Sequence, residues 1–243
     1  MFKRILYGVF LSLEMLLSNG LHAQVDVSIL DLGGDLEAWY QETIALKNTP
    51  IAVGAYYHIQ PQSIKEHQFF LSPVWEEGSV HISDEFFQDI RMLYNTYEDI
   101  LIVENSGIYR SSYQPLKPNQ QAIGSFSIHG AEFIRLDDNE ILPGGFYELL
   151  YEGRQARALV KRIKIKRVAS QGIEYETQEV LYLQLGSVYY KYRGRKTFYE
   201  LFPDHKKEIK SYIRSQGITN LNRHNESGFV YVLQFCEKFM PAL

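Results

Sequence analysis

In Arg162-Ile163-Lys164-Ile165-Lys166, three cations alternate with two isoleucines. On an extended strand successive side chains point to opposite faces, so Arg162, Lys164 and Lys166 share one face and Ile163 and Ile165 the other. The isoleucine face is expected to be buried, and the cationic face is the candidate contact for an anionic partner. Glu174 and Glu176 lie close enough in sequence to neutralise part of it, which is the competing internal role. Arg193 and Arg195 follow the same region, and Lys206, Lys207 and Lys210 sit on a helical segment of the tail.

Carboxylates offer less. Glu148 and Glu152, four apart on a strand, would point to one face about 13 Å apart at roughly 3.3 Å per residue. Glycosidase carboxylates cooperate across about 5 to 9.5 Å, so pairing with the basic strand that follows is the expected role. Asp137, Asp138 and Glu140 make an acidic turn without the spacing of a calcium loop. His58, His67, His81, His129, His205 and His224 form no helical pair with an intervening Glu. Strand pairing could still bring His67 to His81. Ser106 and Ser125 lack the Gly-x-Ser-x-Gly elbow, and Gly144-Gly145 leads into a strand where a phosphate loop would lead into a helix. Cys236, the single cysteine, falls in an apolar helical pattern that suits a buried inert thiol. No catalytic residue, metal site or cofactor is assigned, and the features favour a protein that is not an enzyme.

The elements that must carry these residues are mostly strands. Asp35 to Leu46 has a helical face, and Asn48-Thr49-Pro50 ends it. Ile51 to Ile59 is a strand candidate. In the next strand Phe86, Ile90, Met92 and Tyr94 are expected on one face; Ile100 to Val103 is apolar on both, and Asn105-Ser106-Gly107 turns. Ala131 to Leu136, Gly145 to Glu152, Ala158 to Val168, Ile173 to Leu185 and Val188 to Tyr192 follow, with a turn at Ser170-Gln171-Gly172. Strands joined by such short turns are antiparallel neighbours, because parallel pairing needs a long crossover. The tail, 197–243, is helical. Pro203 and Asp204 start a helix that runs to Ser215 before Gly217, and Asn225 caps a last helix with Phe229, Val232, Leu233, Cys236 and Met240 on one face.

Composition sets the compartment and the charge. Lys3 and Arg4 precede an apolar run from Ile5 to Leu13, and Leu21-His22-Ala23 ends in a small residue. That is the pattern of a cleaved signal peptide over residues 1–23, leaving a mature chain from Gln24 and no transmembrane segment in it. The mature 220 residues keep 17 Tyr, 12 Phe and both Trp, a supply that suits a sheet with one dry face. One cysteine allows no internal disulfide. Residues 24–150 hold 19 acidic and 6 basic side chains; residues 151–243 hold 9 and 17. Such halves attract each other if they fold side by side, or the basic half meets an acidic partner. A slightly acidic exported chain is not expected to bind nucleic acid.

Several segments resemble a family of exported bacterial β-rich envelope proteins with no assigned activity: Glu66-His67-Gln68-Phe69-Phe70, Trp75-Glu76-Glu77-Gly78-Ser79-Val80, Leu93-Tyr94-Asn95 with Asp99, Gly145 to Gly153, and Glu200 to Ile209. The resemblance implies an envelope protein with an antiparallel sheet and a helical tail, and brings no catalytic residue. The expectation is therefore an α+β chain with a single domain over 24–243. A curved, mainly antiparallel sheet (a roll or half-barrel) carries a short helical C-terminal tail. Its expected role is a non-catalytic binding or scaffold protein of the bacterial periplasm or cell envelope. The partner would be an anionic envelope component or a protein, met through Arg162, Lys164 and Lys166. A periplasmic lipid carrier and an enzyme acting on envelope glycan are the alternatives.

Overall fold

The computed structural model describes residues 49–59, 67–106, 113–169, 172–218, 220–222 and 225–240. The segment expected to be a signal peptide, the helix expected over Asp35 to Leu46, His224 and parts of the turns expected at Gly107 and Ser170 lie outside these residues. Eleven strands form one antiparallel sheet that stays open. They are β1 (Gly54–Tyr56), β2 (Glu76–Ile82), β3 (Glu85–Asn95), β4 (Ile100–Ser106), β5 (Tyr113–Pro118) and β6 (Ile123–Ile128). The series continues with β7 (Ala131–Leu136), β8 (Gly145–Glu152), β9 (Ala156–Ala169), β10 (Gly172–Leu185) and β11 (Val188–Lys191). Three helices follow, α1 (Arg195–Leu201), α2 (Lys206–Ser215) and α3 (Glu226–Glu237).

The expected α+β class is the observed one. Strands β7 and β8 keep their expected limits, and β9 to β11 differ by a residue or two at their ends. The order β1-β5-β4-β3-β2-β6-β7-β8-β9-β10-β11 departs from a simple meander, because β2 lies between β3 and β6. Aromatic contacts reveal the curvature. Tyr94 on β3 and Phe146 on β8 lie four strands apart, about 19 Å in a flat sheet at the usual strand spacing. Their rings are 6.0 Å apart. Phe126 and Phe133, cross-strand partners on β6 and β7, stack at 4.9 Å and both meet Tyr94 edge-on. The sheet therefore rolls around an aromatic core.

Two expected inward faces are corrected. One residue of β2 faces two of β3, and Asp89 takes φ 55°, so a bulge reverses the alternation before Ile90. Phe87 packs inward, and Phe86 is 58% exposed. On β9, Ile163 is only half-buried and Ile165 is 38% exposed. Pairing with β8 stops at Val160, while pairing with β10 runs on to Ala169. Beyond Val160, β9 and β10 thus continue as a two-stranded ribbon with little beneath it. The β3–β4 turn borders the ribbon, where the Lys164 N–H donates to the Thr96 carbonyl at 3.2 Å.

The helices cover the other core. Phe229, Val232, Leu233 and Cys236 of α3 are fully buried with Ala158, Val160, Leu181 and Leu183 of the sheet. Asn225 accepts from the Gly228 N–H at 2.8 Å, which caps α3 as its sequence suggested. Burial pushes the Cys236 thiol up to about 12, so it stays protonated and inert at neutral pH.

Candidate functional site

Arg162 sits at the base of the ribbon, its side chain 13% exposed. Its Nε donates to Glu148 on β8 at 2.6 Å, and its Nη1 donates to Glu179 on β10 at 2.7 Å and to Glu226 at 2.5 Å. A second bond runs from Nη2 to Glu226 at 3.0 Å. Burial alone would lower the guanidinium pKa; the bonds to Glu148 and Glu226 outweigh it and hold the group above its ordinary value. Glu226 opens α3, so this one side chain clasps the last helix to three strands. The carboxylate oxygens are directed at the guanidinium, the geometry of a structural clasp.

Lys164 and Lys166 continue the row toward the ribbon tip. Lys164 is half-buried, and Lys166 is exposed with no ion pair among the described residues. A cleft of about 440 Å³ runs past Arg162 and Lys164 to His129, Glu148 and Glu179. The strand pattern therefore brings Arg162, Lys164 and Lys166 to one face, as expected, and Glu226 of α3 covers Arg162 there. Glu148 and Glu152 do not act together. A bulge between Leu149 and Tyr151 interrupts their alternation, and each binds its own arginine on β9, Glu148 to Arg162 and Glu152 to Arg157.

A second polar cluster joins residues from distant segments. The Tyr94 hydroxyl donates to Asp99 at 2.6 Å, as does the Lys161 ammonium, and the Phe146 N–H points to the same carboxylate at 3.3 Å. Burial lowers the Lys161 pKa and Asp99 pulls it partly back, while burial and Asp99 push Tyr94 well up. Gly145, at φ 132°, leaves the room: a Cβ there would strike Asp99 and Lys161. This cluster locks the β3–β4 turn onto β8 and β9. The remaining acids and histidines are dispersed. Asp138 accepts from the Gly144 N–H in its own turn, His67 Nδ1 accepts from the Phe69 N–H, and His205 binds Glu208 and stacks on Phe239. Among the described residues no three His, Cys, Asp or Glu side chains gather as a metal site would need.

A second concave surface lies in the tail. Helices α1 and α2 wall a groove of about 790 Å³. Lys206, Lys210 and Arg214 line it from α2; Arg195 and Lys196 line it from α1, where Glu200 is the one acid among the described lining residues. None of these five cations forms an ion pair among the described residues, in contrast to Arg162. The Tyr199 ring forms part of the floor, with the Lys206 and Lys210 ammonium groups 5.8 and 5.6 Å from its centroid. Sequence reading placed Lys206 and Lys210 on a helix but missed the groove. The missing signal was the α1–α2 corner at Pro203, which sets two basic helices side by side.

No protein family, curated protein or solved structure matches this chain. The arrangement of charge thus bears the functional reading. The five groove cations are presented to solvent, whereas Arg162 and Lys161 are satisfied within the fold. No helix among the described residues is long and apolar enough to cross a membrane.

Proposed function

We propose that this protein is a non-catalytic binding or scaffold protein of the bacterial cell envelope, exported by residues 1–23, which holds an anionic component in the basic groove of its helical tail. The observation that carries this reading is the groove itself, with five cations facing one acid and no internal carboxylate partner among the described residues. Cations left unpaired in a concavity raise the local concentration of anions and favour their capture. Lys164 and Lys166 belong to the same basic half of the sequence and offer a separate basic contact on the ribbon. Arg162 supports it indirectly, by clasping α3 to the sheet.

The test is retention of envelope fractions on the immobilised mature chain. Wild type is expected to retain an anionic component that salt releases, since exposed charges are screened within about 8 Å at physiological ionic strength. A variant carrying Lys206→Glu, Lys210→Glu and Arg214→Glu is expected to lose it. Equal retention by both forms overturns the reading.

A further inference from the structure

The basic groove, read above as an anion site, also has a direction. Lys206, Lys210 and Arg214 recur at every fourth residue of α2, and all three are exposed and line the groove. Four residues advance a helix by about 6 Å, so the row extends about 12 Å along one side of α2. A single small anion cannot engage both ends of such a row. Arg195 and Lys196 face it from α1.

The floor differs from the rim. Tyr199, Ile213 and Ile218 line the groove together with the cations, and the Lys206 and Lys210 ammonium groups lie 5.8 and 5.6 Å from the Tyr199 ring centroid. A bare chain of phosphates would bring nothing for this apolar strip to cover. A chain of sugars would, because each ring has a face of C–H groups that packs on an aromatic ring. The step between cations on α2 is also close to the length of one sugar unit. We propose that the groove binds a linear anionic glycan laid along α2, with successive acidic groups on Lys206, Lys210 and Arg214 and a sugar face on Tyr199.

Binding of galacturonic acid and of its linear dimer and tetramer to the mature chain tests this, followed by calorimetry. Orthophosphate and tripolyphosphate serve as non-sugar anions and maltotetraose as a neutral glycan. The tetramer is expected to bind about tenfold more tightly than the monomer, within the gain that two further exposed ion pairs can supply. Salt should abolish the gain, and so should Lys206→Gln with Lys210→Gln and Arg214→Gln. Tyr199→Ala should weaken the tetramer and leave tripolyphosphate unchanged. Each of these substitutions falls on an exposed or half-buried side chain, and circular dichroism confirms that the fold persists. Monomer and tetramer binding equally would overturn the linear ligand and leave the anion site standing. Tripolyphosphate binding without the tetramer, or no loss in Tyr199→Ala, would overturn the glycan. If neither charged probe binds while envelope retention depends on the groove, this inference alone falls. If retention is independent of the groove, both readings fall.

Discussion

Without its guanidinium, Arg162 would leave Glu148, Glu179 and Glu226 facing one another with no cation between them. Arg162→Ala is therefore expected to destabilise the fold by about 3 kcal/mol, the low end for breaking a buried ion pair because the site is slightly exposed. Adding Glu226→Gln to that variant should recover part of the loss by removing one of the like charges. Denaturant unfolding of the single and double variants checks both, and additive losses would show that the two residues do not interact. The chemical types at this site were legible in the sequence, and so was the sharing of one face by Arg162, Lys164 and Lys166. What could not be read was the arrival of Glu226, 64 residues later, on a helix that docks against that face. The same holds for Asp99 and Lys161, whose pairing depends on the roll of the sheet and on space left by Gly145.

At the scale of elements, α3 depends on its buried face and on both its ends. Leu233 is fully buried, and Leu233→Ala should cost about 2 to 5 kcal/mol in unfolding free energy. A loss within error, with helicity intact, would mean that α3 does not rest on the sheet. The far end is fixed by Glu237, which accepts from the Tyr151 hydroxyl and the Gln155 N–H, both at 2.7 Å. Burial works against ionisation of this carboxyl, but the bonds from Tyr151 and the backbone outweigh it and hold the group below its usual range. A carboxylate with a depressed folded pKa stabilises the fold above its unfolded pKa, about 4.3 for Glu, and loses that contribution as pH falls through the folded value. Wild type should thus exceed Glu237→Gln in stability at neutral pH, and the gap should close as the pH drops below about 4. A constant gap in unfolding curves across that range would refute the role. Helix limits and caps in the tail were legible because Pro203, Asp204 and Asn225 act locally. Strands β2, β5 and β6 were not, since their short segments carry little alternation and gain their place from neighbours.

For the whole molecule, export is the property that the proposed function predicts. The N-terminus of protein recovered from cells should map to Gln24 or a neighbour, by Edman sequencing or mass spectrometry, and an intact Met1 in a cytoplasmic fraction would contradict export. Three of the segments that carried the resemblance to exported β-rich proteins meet in space at structural places. Phe69 pairs with Asn95, Phe70 packs on Tyr94, and Tyr94 joins Asp99 and Phe146. The segment Glu200 to Ile209 lies apart from them, joining α1 to α2, and its Glu200 and Lys206 line the basic groove.

Eight of the ten strand pairings join neighbours in the chain; the exceptions are β1 with β5 and β2 with β6. A hairpin can close within microseconds of its strands becoming available, whereas a join between distant segments first incurs the entropy of closing the loop between them. The sheet can therefore zip as two local runs, β2 to β5 and β6 to β11, and the β2–β6 seam is where they must find each other. At that seam Gly78 lies against the Ser127 carbonyl so closely that any side chain would collide with it. A methyl group at position 78 would therefore act as a brake on the speed of folding, delaying the union of the two runs.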